Sequence, residues 1–278
     1  MDRPEVSVII PAYRAERTLN RALGSILTCG LSPDVVEIVI ASDDGHDYRR
    51  TLRPGPQRIV AAPIGAVRTG PGEARNRALA VAQGHFIAFL DADDSWEPGF
   101  LSALLPLARR QGAAFARTVV LDQDGRELLR LPPQAEDLTL AHLGQTGASY
   151  HPLMARRLAR PFTRLPAQDV RHAAELLARL GGTAPLGRAF YQLHMSPGSV
   201  TADPDFAAKV DAAYVAHVED ILAGAGDIED RMRPAVAQVF RDKARLNAAY
   251  VAAGEEAGSF YHFMAGRLSP EGAAAPRP

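Results

Sequence analysis

From residue 6 onward the chain alternates short apolar runs with stretches whose apolar residues recur every three to four positions, a pattern that restricts it to an α/β architecture. Residues 6–10 (VSVII) are an apolar, β-branched run ending at Pro11, as expected of a strand buried on both faces. Residues 16–27 then set Leu19, Leu23, Ile26 and Leu27 on one helical face, with Gly30 as the stop. The alternation repeats with strands at 35–41 (VVEIVIA) and 58–62, a helix at 72–83 and a strand at 85–90 (HFIAFL). Short links and right-handed crossovers make of this series a doubly wound, mostly parallel sheet flanked by helices. The carboxyl ends of its strands share one edge, where ligands of such sheets bind, so the polar residues after each strand are the informative ones.

Further along, the spacing predicts a helix at 97–111 and two strands, 113–121 and 127–131, joined by an Asp124-Gly125 hairpin. Pro132 and Pro133 then interrupt pairing, before helices at 138–143 and 170–180, the second stopped by Gly181-Gly182, and a strand at 187–193. After that the character changes. Phe206, Val210, Tyr214, Val218 and Ile221 recur at helical spacing, as do Ile228, Met232, Val236 and Phe240. The expected organisation is an α/β domain over 1–202, a helical extension over 203–268 and a flexible tail over 269–278. Residues 260–264 (FYHFM) read as core or as a contact between copies, which leaves a homodimer open.

Composition removes several function classes. A formal net charge of -1 provides no field to draw nucleic acid. Only Lys209 and Lys243 are lysines, which excludes any mechanism that needs a lysine in the first two hundred residues, as P-loop ATPases do. Cys29 is the sole cysteine, so neither an intramolecular disulfide nor a thiolate zinc site can form, and a reducing, cytoplasmic location is expected. No leader is expected at the start, and no apolar run approaches the roughly 18 residues of a spanning helix; peripheral attachment at the inner membrane surface stays open.

The segment 86–98 (FIAFLDADDSWEP) delivers Asp91, Asp93 and Asp94 to the end of one apolar strand. Like charges this close repel unless a cation stands among them, and magnesium or manganese prefers such hard oxygen ligands, completing its shell with water and phosphate. The competing reading is that Asp93 or Asp94 caps the helix after it. A second pair, Asp43-Asp44, follows the strand at 35–41, where carboxylates can accept from ribose hydroxyls or a base N–H or simply shape an Asp-Asp-Gly turn.

Four fragments, 6–26, 37–45, 71–79 and 86–101, stand in the order and at the spacings that resemble family 2 glycosyltransferases of GT-A fold. The resemblance implies a Rossmann-like sheet and an inverting, metal-dependent transfer from a nucleotide-sugar donor, a UDP-sugar above all, to an acceptor hydroxyl. The acceptor would be a saccharide, a lipid-linked or a small molecule, in polysaccharide or glycoconjugate synthesis. It further implies that Pro11, Ala12 and Tyr13 line the nucleotide pocket, that Asp43 or Asp44 meets the uracil and that Arg75 lies beside the donor. Asp91 and Asp93 become the Asp-x-Asp pair, with Asp93 the direct ligand of Mn2+ or Mg2+ and His194 a further metal or diphosphate contact. Arg75 and Asn76 also read as buttressing residues. Asp169 in Gln168-Asp169 is the candidate general base, with Gln where the family usually has Glu, and also reads as a helix N-cap. Tyr150 and His151 either line the acceptor pocket or belong to a buried strand and a helix start. Two other readings compete. A nucleotidyltransferase would need a Gly-rich loop and an early lysine, both missing here; a non-catalytic nucleotide-sugar-binding or assembly subunit is kept alive by Gln168 and by the looser resemblance of the second half.

Overall fold

A computed structural model of the chain describes residues 3–50, 56, 58–148, 150–196 and 206–268. The apolar run near the start becomes β1 (Val6–Ala12), buried along its whole length between two parallel neighbours, β2 (Val36–Ser42) and β4 (Phe86–Phe89). Ile9 lies in register with Val39 on one side and Phe89 on the other. β3 (Arg58–Ala61) extends the parallel set beyond β2. Because side chains alternate across a strand, β1 feeds two cores. Ile9 packs with Ala74 and Ala78 of α2 (Pro71–Val81), whereas Val8 and Ile10 pack with α1 (Leu19–Leu27) and α3 (Phe100–Gln111).

The remaining strands are β5 (Ser95–Trp96), β6 (Ala113–Leu121), β7 (Glu127–Leu131), β8 (Asp137–Thr139), β9 (Leu153–Ala155) and β10 (Thr183–His194). The sheet runs in the order β3-β2-β1-β4-β9-β6-β10-β5, with β7 on β6 and β8 on β10. It is parallel as far as β4; β9 then enters antiparallel between β4 and β6. The buried strand expected around Tyr150 is therefore β9, and Tyr150 and His151 precede it in irregular chain. The remaining helices are α4 (Leu140–Gln145), α5 (Gln168–Arg179), α6 (Phe206–Leu222), α7 (Arg233–Ala253) and α8 (Phe260–Leu268). α6 packs on α7, where His217 stacks on fully buried Phe240 at 4.4 Å. Among the described residues no helix is long and apolar enough to cross a membrane. The expected tail, 269–278, and the 202/203 division lie outside the described residues.

Several boundaries differ from the sequence reading, among them the start of α4, where 137–139 pair with β10, and the starts of α3 and α1; at each, long-range pairing overrides local helical preference. α3 begins at Phe100 rather than near residue 97, because the Glu97 amide donates to the Phe190 carbonyl and its Oε2 accepts the Phe190 N–H at 3.1 Å. This draws 95–97 into the sheet, and Gly99, at φ +80°, turns the chain into the helix. α1 starts at Leu19 because Arg14, at φ +50°, turns the chain first, and the Ala15 amide donates to the Tyr48 hydroxyl at 3.0 Å.

The entry to β4 is held by a buried polar knot. Ser7 Oγ donates to Glu37 Oε1 at 2.6 Å and accepts the Gly84 N–H at 2.7 Å, while the Gln83 N–H reaches Glu37 Oε1 at 2.8 Å. Gly84 is needed here for close approach: a Cβ would lie 2.4 Å from the Ser7 amide nitrogen. Gly84→Ala should therefore cost about 1–3 kcal/mol, the range for overpacking a rigid site. A thermal unfolding curve identical to that of the parent would contradict this.

Candidate active site

The acidic turn after β4 is shaped from two sides. The Asp91 N–H donates to the Tyr191 hydroxyl at 3.1 Å; that hydroxyl donates in turn to Asp94 Oδ2 at 2.8 Å, and the His194 N–H reaches Asp94 Oδ1 at 3.0 Å. β10 thus fixes the turn through residues about a hundred positions away. Neither Asp93 nor Asp94 caps α3, whose N-cap is Gly99, so the capping reading is overturned. Asp94 is a brace for the turn instead.

On the other side stands Arg75 of α2, 2% exposed. Its Nη2 donates to Asp91 Oδ1, its Nη1 donates to Gln168 Oε1 at 3.1 Å, and its guanidinium lies 5.4 Å over the Phe162 ring. His151 Nε2 donates to Asp91 Oδ2 at 3.2 Å. Both oxygens of Asp91 are thereby held by protein groups, which differs from its expected place as a metal ligand. Burial works against the charge of Asp91, but Arg75 and His151 overcome it and hold the carboxyl well below the usual range. Tyr150 and His151 stay out of the cavity described below.

Asp93 has a different environment. Burial, then the charge of Asp91, pushes its carboxyl up, and Arg21 Nη2 donates to its backbone carbonyl. Asp94 is raised further, by burial and then by Asp93 and Asp91. A divalent ion would supply the counter-charge that this turn lacks. Beside it His194 Nε2 lies 2.7 Å from Ser95 Oγ, and burial, followed by Arg21, lowers that imidazole to about 4. His194 is therefore neutral at pH 7, the state in which imidazole binds metals. Among the described residues no three His, Cys, Asp or Glu side chains group to hold a metal by themselves. The donor set of Asp93 and His194 fits an ion that draws the rest of its shell from diphosphate and water.

At the ends of β1 and β2, Pro11 and Ala12 are buried and Tyr13 is exposed, with the Arg14 guanidinium 5.3 Å over its ring. Asp43 accepts from Thr69 Oγ1 at 2.6 Å, the Gly70 N–H at 2.9 Å and Arg77 Nη2 at 3.2 Å, tying β2 to the start of α2. Asp44 accepts from the Arg14 N–H at 2.6 Å, Tyr48 at 2.7 Å, and Ser42 and the His46 N–H at 2.9 Å each. Partial burial opposes its charge, but these bonds hold Asp44 at about 2. Both carboxylates shape their loops, as the turn reading proposed, at the edge where a nucleotide would lie.

Asn76 buttresses. Its Nδ2 donates to the Phe162 carbonyl at 3.0 Å and its Oδ1 accepts the Phe162 N–H at 2.7 Å, anchoring the loop that leads into α5. Asp169 is the second residue of α5, after an N-cap at Ala167, so it is not the N-cap itself. It lines a cavity of about 760 Å³ bounded by the first turns of α2 and α5 and by α6, α7 and α8. Arg75 is the link between this cavity and the acidic turn: one end holds Asp91, the other holds Gln168 next to Asp169. Sequence reasoning missed His151 on Asp91, Tyr191 as brace and Lys243 in the cavity wall. No local signal marks them, since each partner lies at least sixty positions away.

A model described as Glycosyl transferase family 2 matches residues 7–158, more than half of the chain. The chain belongs to this family. Among curated relatives, succinoglycan biosynthesis protein ExoO of Rhizobium meliloti is 34% identical over 151 residues, covering 51% of this chain and 40% of ExoO. The UDP-Glc:alpha-D-GlcNAc-diphosphoundecaprenol beta-1,3-glucosyltransferase WfgD of Escherichia coli is 33% identical over 117 residues, covering 41% of this chain and 45% of WfgD. The chain thus spans less than half the length of these two relatives. Among solved structures, TarS 1-349 of S. aureus in complex with UDP-GlcNAc aligns over 91% of this chain and 77% of its own, with TM-score 0.63 and 19% identity. Mannosyltransferase PcManGT from Pyrobaculum calidifontis, in complex with GDP-Man and Mn2+, aligns over 98% and 80%, with TM-score 0.53 and 17% identity. At such identities the likeness establishes the GT-A fold of this family 2 member. The family match ends at residue 158, ahead of Asp169 and of the whole helical extension.

Proposed function

We propose that this family 2 protein is an inverting, metal-dependent glycosyltransferase that moves a sugar from UDP to an acceptor hydroxyl in polysaccharide or glycoconjugate synthesis. The observation that carries the reading is Arg75, which joins Asp91 in the acidic turn to Gln168, beside Asp169 in the wall of a cavity. Donor and acceptor halves then meet at one buried guanidinium. UDP as the nucleotide draws support from the likeness to WfgD, a UDP-Glc-dependent enzyme by its name, and to TarS in complex with UDP-GlcNAc, and a saccharide or lipid-linked acceptor from the likeness to ExoO and WfgD. A cation held by Asp93, with His194 beside it, would supply positive charge to the departing diphosphate.

The chain's own residues account for the rest. Pro11, Ala12, Tyr13 and the loops set by Asp43 and Asp44 form the nucleotide edge. Arg75 fixes Asp91 and so the turn that presents Asp93. Asp169 removes the acceptor proton as the hydroxyl oxygen attacks the anomeric carbon, and the bond from that carbon to the diphosphate oxygen breaks on the opposite face. The second reading, a non-catalytic binder, rests on Gln168. Against it, the Gln168 amide oxygen accepts from Arg75 as a Glu oxygen would.

Calorimetry with UDP and manganese, followed by an assay for slow UDP-sugar hydrolysis, tests the proposal. UDP should bind more tightly with manganese than without it, and UDP-sugar should be consumed. Binding without hydrolysis or transfer would favour the binder. Asp93→Ala is expected to remove the manganese-dependent part of UDP affinity and to abolish metal-dependent turnover; unchanged metal dependence would discard Asp93 as the ligand.

A further inference from the structure

Gln168 and Asp169 open α5 from a turn held in a sparsely populated conformation. Ala167, its N-cap, has φ +60°, a left-handed value that a residue with a Cβ keeps only where its surroundings impose it. Part of that constraint comes from α2, inside the family match: Arg75 Nη1 donates to Gln168 Oε1 at 3.1 Å, and Asn76 exchanges two hydrogen bonds with the backbone of Phe162 a few residues upstream. Another part comes from outside the match.

His217 of α6 is fully buried, and its Nε2 lies 2.8 Å from the carbonyl oxygen of Pro166, the residue immediately before Ala167. A carbonyl oxygen can only accept, so Nε2 carries the proton and donates. The ring is itself fixed, stacked on fully buried Phe240 of α7 with centroids 4.4 Å apart and planes at 29°. Nδ1 of the same ring is buried with no hydrogen-bond partner. An unmatched buried nitrogen costs stability, and an apolar ring would pack on Phe240 without that cost. The imidazole is therefore explained by its one donor. Pro166, Ala167, Gln168 and Asp169 all line the cavity and His217 does not, so whatever His217 does there it does through the Pro166 carbonyl.

We propose that His217 is a positioning residue for the transfer step: its Nε2–H holds the Pro166 carbonyl and so fixes the left-handed turn at Ala167 that sets Asp169 toward the acceptor hydroxyl. The inference rests on the transferase reading, with Asp169 as base. It gives the helical extension a part in the reaction, since α6 supplies the donor and α7 the ring on which that donor is stacked.

Two replacements in the full chain separate the hydrogen bond from the packing. His217→Phe keeps a ring stacked on Phe240 and removes the donor; His217→Gln gives up the ring and keeps a donor amide at about the reach of Nε2. With UDP-glucose or UDP-GlcNAc, whichever the parent consumes, His217→Phe should lower kcat by about ten- to a hundred-fold, the scale of a misplaced catalytic group, with UDP affinity retained by calorimetry. His217→Gln should recover most of that loss. A merely structural histidine predicts the reverse order, because the stacked ring then matters more than the donor. Undiminished turnover in His217→Phe, or a loss as deep in His217→Gln, overturns the proposal. The contact itself is read without turnover: with nitrogen-15 in the eight histidines, one imidazole at pH 7 should be fixed as the Nε2–H tautomer with a proton slow to exchange, and both replacements should remove its signal. A spectrum in which neither replacement removes such a signal also overturns it. A parent that consumes neither UDP-sugar discards the transferase reading and with it the role in transfer, while the spectrum still decides the contact.

Discussion

Asp169→Asn should lower UDP-sugar turnover by about a hundred- to ten-thousand-fold, the usual worth of a positioned general base, while leaving UDP affinity intact. The substitution is nearly isosteric and removes the negative charge, and with it the ability to take a proton. Asp169 lines the cavity, whereas Asp91, Asp93, His194, Pro11, Ala12 and Tyr13 do not, so UDP affinity is expected to persist. Calorimetry with UDP and manganese beside a turnover assay separates the two effects. Undiminished turnover would remove Asp169 from the base role, and loss of UDP binding would show that the two halves are not separable in the way Arg75 implies.

Arg75→Met should destabilise the fold by about 3–5 kcal/mol, the cost of removing one partner from a buried ion pair. Asp91 would keep only His151, and Gln168 Oε1 would lose its donor. The methionine fills much of the volume over Phe162, so the loss would come from the stranded charge more than from a cavity. Arg75→Lys should recover little, since one ammonium cannot hold two acceptors in the geometry of a guanidinium fork. Urea unfolding followed by the fluorescence of Trp96, the sole tryptophan and 2% exposed, reads the change directly. A loss below about 1 kcal/mol, the scale of an exposed ion pair, would mean that Arg75 does not brace the turn.

Much of the architecture was legible because it is local. The apolar runs of β1, β2 and β4 and the periodic faces of α1, α5 and α6 depend on neighbours within a turn or a strand, and the hairpin of β6 and β7 is marked by Asp124-Gly125. The places that differ are those where a distant partner wins. Glu97 looks like a helix start and is drawn instead to Phe190 in β10. Asp94 looks like a cap and instead braces Tyr191 and His194.

Charge, lysine scarcity, the strand and helix alternation and the three carboxylates after one apolar strand were settled by the amino-acid order, because each is a property of a short stretch or of the total. The tertiary structure alone decided what those carboxylates face. β9 enters antiparallel beside β4, bringing His151 to Asp91; the packing of α2 on β1 and of its first turn on the loop before α5 sets Arg75 between Asp91 and Gln168; α7 carries Lys243 to the cavity of Asp169. These contacts join residues 16 to 93 positions apart, and sheet order and helix packing, not spacing along the chain, bring such residues together.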